Sequence, residues 1–280
     1  MIKGRRFVIK DKLGIIYKGM LIGSTMLVPG VSGGSMAMIL GIYEKLIEAV
    51  SSFFKNIKDN FFFLFLFVIS AGFGMLLLAR PILSLLESYP KVMGFFFIGA
   101  VAGGIPTIYK QSGIKKNSFR HIVYILLGMA VVILLSLLPT DNLMMEEENG
   151  GNSFLFLTLA GIVAAAALIL PGISVSYLLL VMGLYHELMH AISEFNMTFL
   201  FPMGVGLLCG IILLTRGLEI LMTKYPQMSY LTILGFVLGS LAEVFPGLPV
   251  GTEWIACILA GGIGFYFIFA VSMPNNNEYF

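Results

Sequence analysis

The chain has 280 residues, of which 58% are hydrophobic and only 11% are charged. This composition excludes an ordinary water-soluble globule and indicates a protein that crosses a bilayer several times. The net charge of +2 comes without a basic cluster interleaved with aromatic residues, which excludes a nucleic-acid surface. Cys209 and Cys257 both lie in apolar stretches, so we expect two buried thiols without a disulfide or a functional role.

The first predicted element is the apolar segment 14–50, which Pro29-Gly30 interrupts. Basic residues precede it, but the run contains no small-residue cleavage site, so we do not expect a removed signal peptide. Proline lacks a backbone N–H and breaks a helix, which leaves arms of about half to one membrane thickness on either side. We interpret 14–50 as a re-entrant helical hairpin. In the alternative, both arms cross the bilayer completely.

Three predicted spans follow, and the whole arrangement then recurs. A helix of about 20 apolar residues crosses the hydrocarbon core. The segment 153–192, interrupted at Pro171-Gly172, predicts a second hairpin, and fully crossing arms in both segments would give ten spans. The six predicted spans are 61–80, 91–109, 119–138, 199–222, 228–246 and 253–273.

An internal duplication relates the two halves of the chain. Pro29 and Pro171 lie 142 residues apart, as do Tyr43 and Tyr185, and Arg80 and Arg216 lie 136 residues apart. A constant interval predicts a repeat rather than a coincidence of glycines. We therefore divide the chain into a first repeat, 1–140, and a second, 141–280. The matched motifs are Pro29-Gly30-Val31-Ser32-Gly33-Gly34-Ser35 with Gly41-Ile42-Tyr43, and Pro171-Gly172-Ile173-Ser174-Val175-Ser176 with Gly183-Leu184-Tyr185.

The distribution of basic residues predicts the orientation of the repeats. Lys and Arg accumulate in cytoplasmic loops. With a cytoplasmic N-terminus, all basic residues in the spans and their loops fall inside except Arg80 and Lys91, and the acidic loop 139–152 falls outside. A re-entrant hairpin does not cross the bilayer, so each half makes three crossings, which is an odd number. The second half is therefore inverted relative to the first, and the C-terminus is also cytoplasmic. The fold prediction is an all-α polytopic membrane protein with two inverted-topology repeats, each a re-entrant hairpin plus three transmembrane helices.

The two breaks are the predicted anion-binding elements. An unpaired N–H or C=O in hydrocarbon costs several kcal/mol, so we expect the breaks to line a cavity where a ligand can pair with them. Helices that restart after a break present amides and hydroxyls to an anion. In the alternative interpretation, these small residues only allow close helix packing. The predicted phosphate-binding residues of the breaks are Pro29, Gly30, Ser32, Gly33, Gly34, Ser35, Pro171, Gly172, Ser174 and Ser176.

Two arginines extend this prediction. Arg80 and Arg216 each follow an apolar stretch at equivalent repeat positions, and an intramembrane arginine requires a partner. A guanidinium matches the geometry of a phosphate or a carboxylate. The alternative is that both side chains extend to the lipid headgroups, with Glu219 as the local salt-bridge partner of Arg216.

A short match to a zinc-site signature suggests a different class of protein. His186-Glu187-Leu188-Met189-His190 fits H-E-x-x-H, the helical signature of metalloproteases, including some that work inside membranes. A catalytic zinc needs a third protein ligand, for which Glu194 is the nearby candidate. We keep an intramembrane zinc protease as an alternative function, but predict no metal site and no enzyme.

The motifs around the two breaks, together with Glu44 after Tyr43, resemble those of the polyprenyl-phosphate transporter family, formerly a domain of unknown function. The resemblance extends over essentially the whole chain. Val175 stands where we expect a glycine, and His186 follows Tyr185; both depart from the family pattern at the second break.

The resemblance implies a transporter that returns undecaprenyl phosphate, the carrier lipid of cell-wall assembly, across the bacterial cytoplasmic membrane. Our hypothesis for the mechanism is alternating access. It implies no cofactor, a polyprenyl-phosphate lipid and membrane lipids as partners, and no nucleic acid. Glu44 and Glu243 are candidates for proton coupling; sodium coupling and a homodimer are left open. A transporter of a small soluble anion is the further alternative, because it would share the breaks and the arginines.

Overall fold

The structure is a computed structural model that describes residues 9–28, 31–114, 119–138 and 154–272. Pro29 and Gly30, both chain termini and the acidic loop lie outside the described residues. Within these ranges the protein is all-α, with twelve α-helices and no strand. The helices are α1 (Ile9–Thr25), α2 (Gly33–Ile39), α3 (Tyr43–Ser51), α4 (Ile57–Ser88), α5 (Pro90–Gln111), α6 (Phe119–Ser136), α7 (Phe154–Ile169), α8 (Val175–Val181), α9 (Tyr185–Ser193), α10 (Met197–Lys224), α11 (Pro226–Val244) and α12 (Glu253–Ser272), and a 3₁₀ turn (Phe53–Lys55) follows α3.

Six of these helices are long and apolar enough to cross a membrane: α4, α5, α6, α10, α11 and α12. They are the six spans that the sequence predicts, and the chain is a multi-pass membrane protein. These six helices differ in the share of their residues that is buried within the protein. In the most apolar 18-residue stretch of α11, 61% of residues are buried, against 11% in α6. α11 therefore lies at the centre of the bundle, while α6 presents most of its surface outward.

One span, α4, is longer than the sequence predicts, because it continues through Arg80 and Pro81 to Ser88. α10 ends at Lys224, two residues past its predicted end. The predicted end at Arg80 was wrong, because a proline inside a membrane helix is tolerated where neighbouring groups compensate for its missing N–H. Both helices end instead at a Tyr-Pro pair, since proline disfavours the helical conformation of the residue before it. Tyr89 and Tyr225 accordingly leave the helical region, with φ/ψ of −136°/58° and −130°/59°.

Each segment predicted as a hairpin contains three helices rather than two arms. The second arm is broken again at Gly41 and at Gly183, which have φ of +66° and +72°. Glycine ends a helix readily in this left-handed conformation, and the sequence analysis missed this second break. The N–H of Ile42 donates to Ala37 O at 3.0 Å, and that of Leu184 to Leu179 O at 2.9 Å, so the two turns match.

The short helices after each break cannot span the bilayer alone. α2 and α8 have seven residues each, about 10 Å of helix. α8 and α9 are bent by 109° at Gly183. A straight crossing by this arm would therefore need the bend to open.

The most extensive helix contacts are made by four pairs: α1 with α4, α7 with α10, α5 with α12, and α6 with α11. Glycines allow the last two pairs to approach closely. A β-carbon at Gly99 would overlap Gly261 O, and one at Gly235 would overlap Ile125 O. Gly99 and Gly235 are 136 residues apart, so the repeat interval recurs in the packing. The pairs α5 with α12 and α6 with α11 each take one helix from either half, so the halves interlock.

Candidate functional site

The described residues that follow the first break contact the second break, between α2 and α7. A β-carbon at Gly34 would lie 3.3 Å from Pro171 Cα and 3.4 Å from Ile169 O, so the backbones are in direct contact there. We call the residues 31–35 and 169–174 the junction. The sequence predicts both breaks, and the structure brings their described residues together.

The first side of the junction is the start of α2. Ser32 precedes the helix with extended φ/ψ, and its hydroxyl makes no capping hydrogen bond. Ser32, Gly33 and Gly34 are half-buried, whereas Ser35 is 2% exposed. The Ser35 hydroxyl has no hydrogen-bond partner among the described residues. A buried polar group without a partner costs about 1–3 kcal/mol, so this hydroxyl is a candidate ligand contact.

The second side differs from the first. Pro171 and Gly172 are buried, and a β-carbon at Gly172 would overlap Phe236 O of α11. Gly172 also has φ of +83°, which explains why glycine stands there. The Ser174 hydroxyl accepts a hydrogen bond from the Tyr177 N–H at 3.3 Å and caps α8, while Ser176 is exposed. The Ser174 hydroxyl is therefore engaged in a helix cap, whereas the hydroxyl of Ser32, its counterpart in the first repeat, is not.

Tyr43 links the two halves at the junction. Its hydroxyl donates a buried hydrogen bond to Ile169 O at 2.8 Å, which satisfies the last carbonyl of α7. The sequence analysis identified Tyr43 as part of the repeat but gave it no role. The repeated Gly-x-Tyr pattern was the available signal, but the acceptor lies 126 residues away.

Apolar side chains close the junction in this conformation. Val31 is 7% exposed and Ile173 is 9% exposed, and both belong to the main hydrophobic cluster with Ile169. The two cavities described below are lined by other residues. A ligand that reaches Ser35 must therefore displace or bypass this apolar packing.

The two arginines are exposed and away from the junction contacts. Arg80 and Arg216 both point out of the core of the fold. In the described ranges, neither arginine has a carboxylate within 4 Å, because the ion pairs there join Lys91 to Glu253 and His190 to Glu194. The alternative salt bridge between Arg216 and Glu219 is absent from this conformation: Glu219 Oε2 instead accepts a hydrogen bond from Ser51 Oγ at 2.6 Å.

Arg216 lines a cavity of about 390 Å³ beside the 3₁₀ turn. The cavity lies where α3 packs against α10, and Ser51 and Glu219 connect these two helices. It is lined by Lys55, Arg216, Glu219, Ile220, Thr223 and Lys224.

The two candidate coupling residues lie in different surroundings. Glu44 is exposed in the first turn of α3. Glu243 is half-buried on α11, and its Oε1 accepts a hydrogen bond from Ser136 Oγ at 2.7 Å. The Tyr177 hydroxyl donates to Ser136 O and Leu138 O, both at 2.9 Å, so Glu243 belongs to a polar cluster that ties α8 to the end of α6.

The H-E-x-x-H segment forms the exposed helix α9. His186, Glu187 and His190 are all exposed, and His190 Nε2 lies 3.3 Å from Glu194 Oε1. Glu187 and His190 line a second cavity of about 240 Å³. Within the described part of the chain, no group of three or more His, Cys, Asp or Glu side chains could hold a metal ion.

Known proteins resemble this chain over most of its length. A family model described as "VCA0040-like: Undecaprenyl phosphate translocase-like" matches residues 22–256. A protein of Staphylococcus aureus (strain NCTC 8325 / PS 47) named "Polyprenyl-phosphate transporter" is 35% identical over 264 residues, which is 89% of this chain and 92% of that protein. A protein of Vibrio cholerae serotype O1 (strain ATCC 39315 / El Tor Inaba N16961), also named "Polyprenyl-phosphate transporter", is 26% identical over 252 residues, which is 84% of this chain and 78% of that protein. No solved structure matches significantly. The chain belongs to the VCA0040-like family of undecaprenyl phosphate translocase-like proteins.

Proposed function

We propose that this protein moves a polyprenyl phosphate, undecaprenyl phosphate, across the bacterial cytoplasmic membrane and so returns the carrier lipid for cell-wall synthesis. The family membership, the names of the two relatives and the six apolar helices support this proposal. A phosphate monoester cannot cross about 30 Å of hydrocarbon unaided, so a protein must provide polar groups along its path.

The junction is the proposed phosphate site. The single observation that carries it is the buried Ser35 hydroxyl, which lacks a partner beside the contact between Gly34 and Pro171. The hydroxyls of Ser32 and Ser35 and the adjacent backbone of Gly33 and Gly34 offer donors to the phosphate oxygens. On the other side, Ser174 can exchange its capping bond for the ligand. Pro29, Gly30, Pro171, Gly172 and Ser176 stay predicted contributors to phosphate binding, of which Pro29 and Gly30 lie outside the described residues.

The proposed mechanism is alternating access between inverted repeats. The matched turns at Gly41 and Gly183 and the matched glycine contacts between helices support a two-fold relation of the halves. Because α5 pairs with α12 and α6 with α11, each rocking unit contains helices from both halves. Re-entrant hairpins would let both breaks meet at mid-membrane while the phosphate enters from either side.

Arg80 and Arg216 are the proposed charge partners of the phosphate. Both side chains are exposed and have no carboxylate partner within 4 Å in the described chain. Each lies eight residues before the end of its helix, about 12 Å along the axis. They can therefore neutralise the headgroup at either end of its route to the junction.

Glu243 and Glu44 are the proposed proton-coupling residues. The half-buried Glu243 accepts a hydrogen bond from Ser136 Oγ at the end of α6, and protonation would weaken this bond at the residue whose backbone carbonyl also binds Tyr177 of α8. Glu243→Gln keeps an acceptor but cannot titrate. We expect transport by this variant to lose its dependence on an imposed pH gradient.

Liposome transport tests the proposal. Purified protein is reconstituted, a labelled polyprenyl phosphate is added to one leaflet, and its appearance in the other is measured. We expect protein-dependent translocation, reduced about tenfold or more in Ser35→Ala and in Arg80→Ala with Arg216→Ala. Excess short water-soluble phosphate should compete poorly. Failure of the parent protein to move the lipid would refute the function, and full activity of folded variants would refute the site.

A further inference from the structure

The cavity beside α10 has a composition that neither the family match nor the junction explains. Three basic side chains, Lys55, Arg216 and Lys224, line it with a single acidic one, Glu219, so its lining carries a net charge of +2. Lys224 also lies 5.3 Å from the ring centroid of Tyr225, which orients its ammonium group. Such a concentration of positive charge around a cavity attracts an anion.

The geometry of the cavity fits a headgroup carried by a lipid. Arg216, Ile220 and Lys224 recur every four residues and therefore share one face of α10. Ile220 is 55% exposed, and the neighbouring Leu213 and Leu221 are 67% and 44% exposed. A basic cavity whose wall is continuous with an exposed apolar helix face can bind a phosphate while its hydrocarbon tail stays in the bilayer.

The acidic side chain is held in place in a way that leaves the cations available. Glu219 accepts its short hydrogen bond from Ser51, the last residue of α3, rather than pairing with Arg216. None of the ion pairs in the described ranges involves Lys55, Arg216 or Lys224. The cavity therefore presents cations that no carboxylate neutralises directly.

The repeat-related region of the first half lacks these features. The positions equivalent to Lys55, Glu219 and Lys224 are Met197, Leu83 and Ser88, while Thr223 corresponds to Glu87. The equivalent set around Arg80 therefore contains an acidic residue, Glu87, and no lysine. In the described chain, α9 also has no packing against α4 comparable to that of α3 against α10. The basic cavity is a property of one end of the protein only.

We propose that this cavity, formed by Lys55, Arg216, Thr223 and Lys224 with Ile220 at its lipid side, is a docking site for a lipid-borne phosphate monoester, separate from the junction. This inference rests on the proposed function in one respect: the docked lipid is the transported one. The basic end lies on the side that the sequence predicts to be cytoplasmic. The cavity thus holds the headgroup at that membrane surface, with Arg216 on the path to the junction.

Binding to the full chain in phosphatidylcholine nanodiscs tests the inference without transport. Farnesyl phosphate is titrated by calorimetry, with farnesol and inorganic phosphate as separate probes. Each basic residue that lies directly beside a bound lipid phosphate changes its affinity about fivefold. We expect Lys55→Gln with Lys224→Gln to weaken farnesyl phosphate binding about thirtyfold. Lys110→Gln with Arg120→Gln removes the same charge from exposed positions outside the cavity and should leave binding unchanged.

A variant that is expected to tighten binding separates an effect of charge from a loss of folding, which could only weaken binding. Glu219→Gln keeps an acceptor for Ser51 but raises the net charge of the cavity, so we expect about fivefold tighter binding. Unchanged affinity in folded Lys55→Gln/Lys224→Gln protein, equal losses in both double variants, or no gain in Glu219→Gln would overturn the docking site. Inorganic phosphate binding as tightly as farnesyl phosphate would overturn the lipid assignment. If the parent protein and the variants bind farnesyl phosphate as expected but the parent protein does not translocate polyprenyl phosphate in liposomes, the result would instead count against the proposed function alone.

Discussion

Replacing Tyr43 by phenylalanine tests the contact between the two halves at the junction. The Tyr43 side chain is 3% exposed, and its hydroxyl donates to Ile169 O at 2.8 Å. Ile169 is the last residue of α7, so its carbonyl has no partner within the helix. Tyr43→Phe removes only the oxygen and leaves this carbonyl buried and unpaired.

The expected cost follows from that geometry. A buried acceptor that loses its donor destabilises a protein by about 1–3 kcal/mol. One kcal/mol corresponds to about 2–4 °C in melting temperature for domains of 150–250 residues, so we expect a fall of roughly 2–12 °C. Because α3 would be less firmly held against the second break, lipid transport should fall as well.

The matched control is the repeat counterpart, Tyr185→Phe. Tyr185 is half-buried, and its ring lies against that of His186 in an edge contact with centroids 5.6 Å apart. The two variants are heated in detergent, and the folded protein that remains at each temperature is measured by size-exclusion chromatography. The reasoning is refuted if Tyr43→Phe melts with the parent protein, or if both variants lose the same stability.

Three further substitutions test the packing around the site. Gly34→Val forces a branched side chain against Pro171 Cα, where even a β-carbon lies at 3.3 Å; we expect overpacking of about 1–3 kcal/mol and loss of liposome transport. Gly172→Ala should reduce the yield of folded protein, because it combines a left-handed φ with overlap on Phe236 O, whereas Gly204→Ala, with open space around it, should not. Tyr177→Phe loses one hydroxyl proton, which two carbonyl oxygens at the end of α6 share at 2.9 Å, and we expect a cost of about 0.5–1.5 kcal/mol in total, whereas Tyr266→Phe, 73% exposed, should melt with the parent. Normal transport by Gly34→Val, normal yield of Gly172→Ala, or equal melting of both tyrosine variants would contradict these expectations.

The sequence predicts the features of this fold that depend on local chemistry. The six spans follow from apolar length, and the two breaks follow from proline and glycine, so both are predicted to within a few residues in most cases. The end of α4 was less well predicted, because an arginine followed by proline at Arg80 resembles a helix end. Tyr89-Pro90 and Tyr225-Pro226, which do end the helices, were recognised only as markers of the repeat.

Features that depend on contacts between the halves could not be predicted. The bond from Tyr43 to Ile169 and the cavity that joins Lys55 to Arg216 both require knowing which helices pack together. Hydropathy and repeat intervals carry no information about that pairing. The second bend at Gly41 and Gly183 was accessible in principle, since both glycines belong to the repeated motif, but glycine is common in membrane helices and the pattern alone did not distinguish a turn from a packing position.

The central claim is that a lipid phosphate reaches the junction, and a cysteine at position 35 tests it most directly. In protein whose Cys209 and Cys257 are replaced by alanine, Ser35→Cys is treated with a small charged thiol reagent in liposomes. We expect modification that is slowed about tenfold or more by a polyprenyl phosphate and not by the corresponding polyprenol. Modification at the same rate with and without the lipid phosphate, or a thiol that never reacts, would contradict the account.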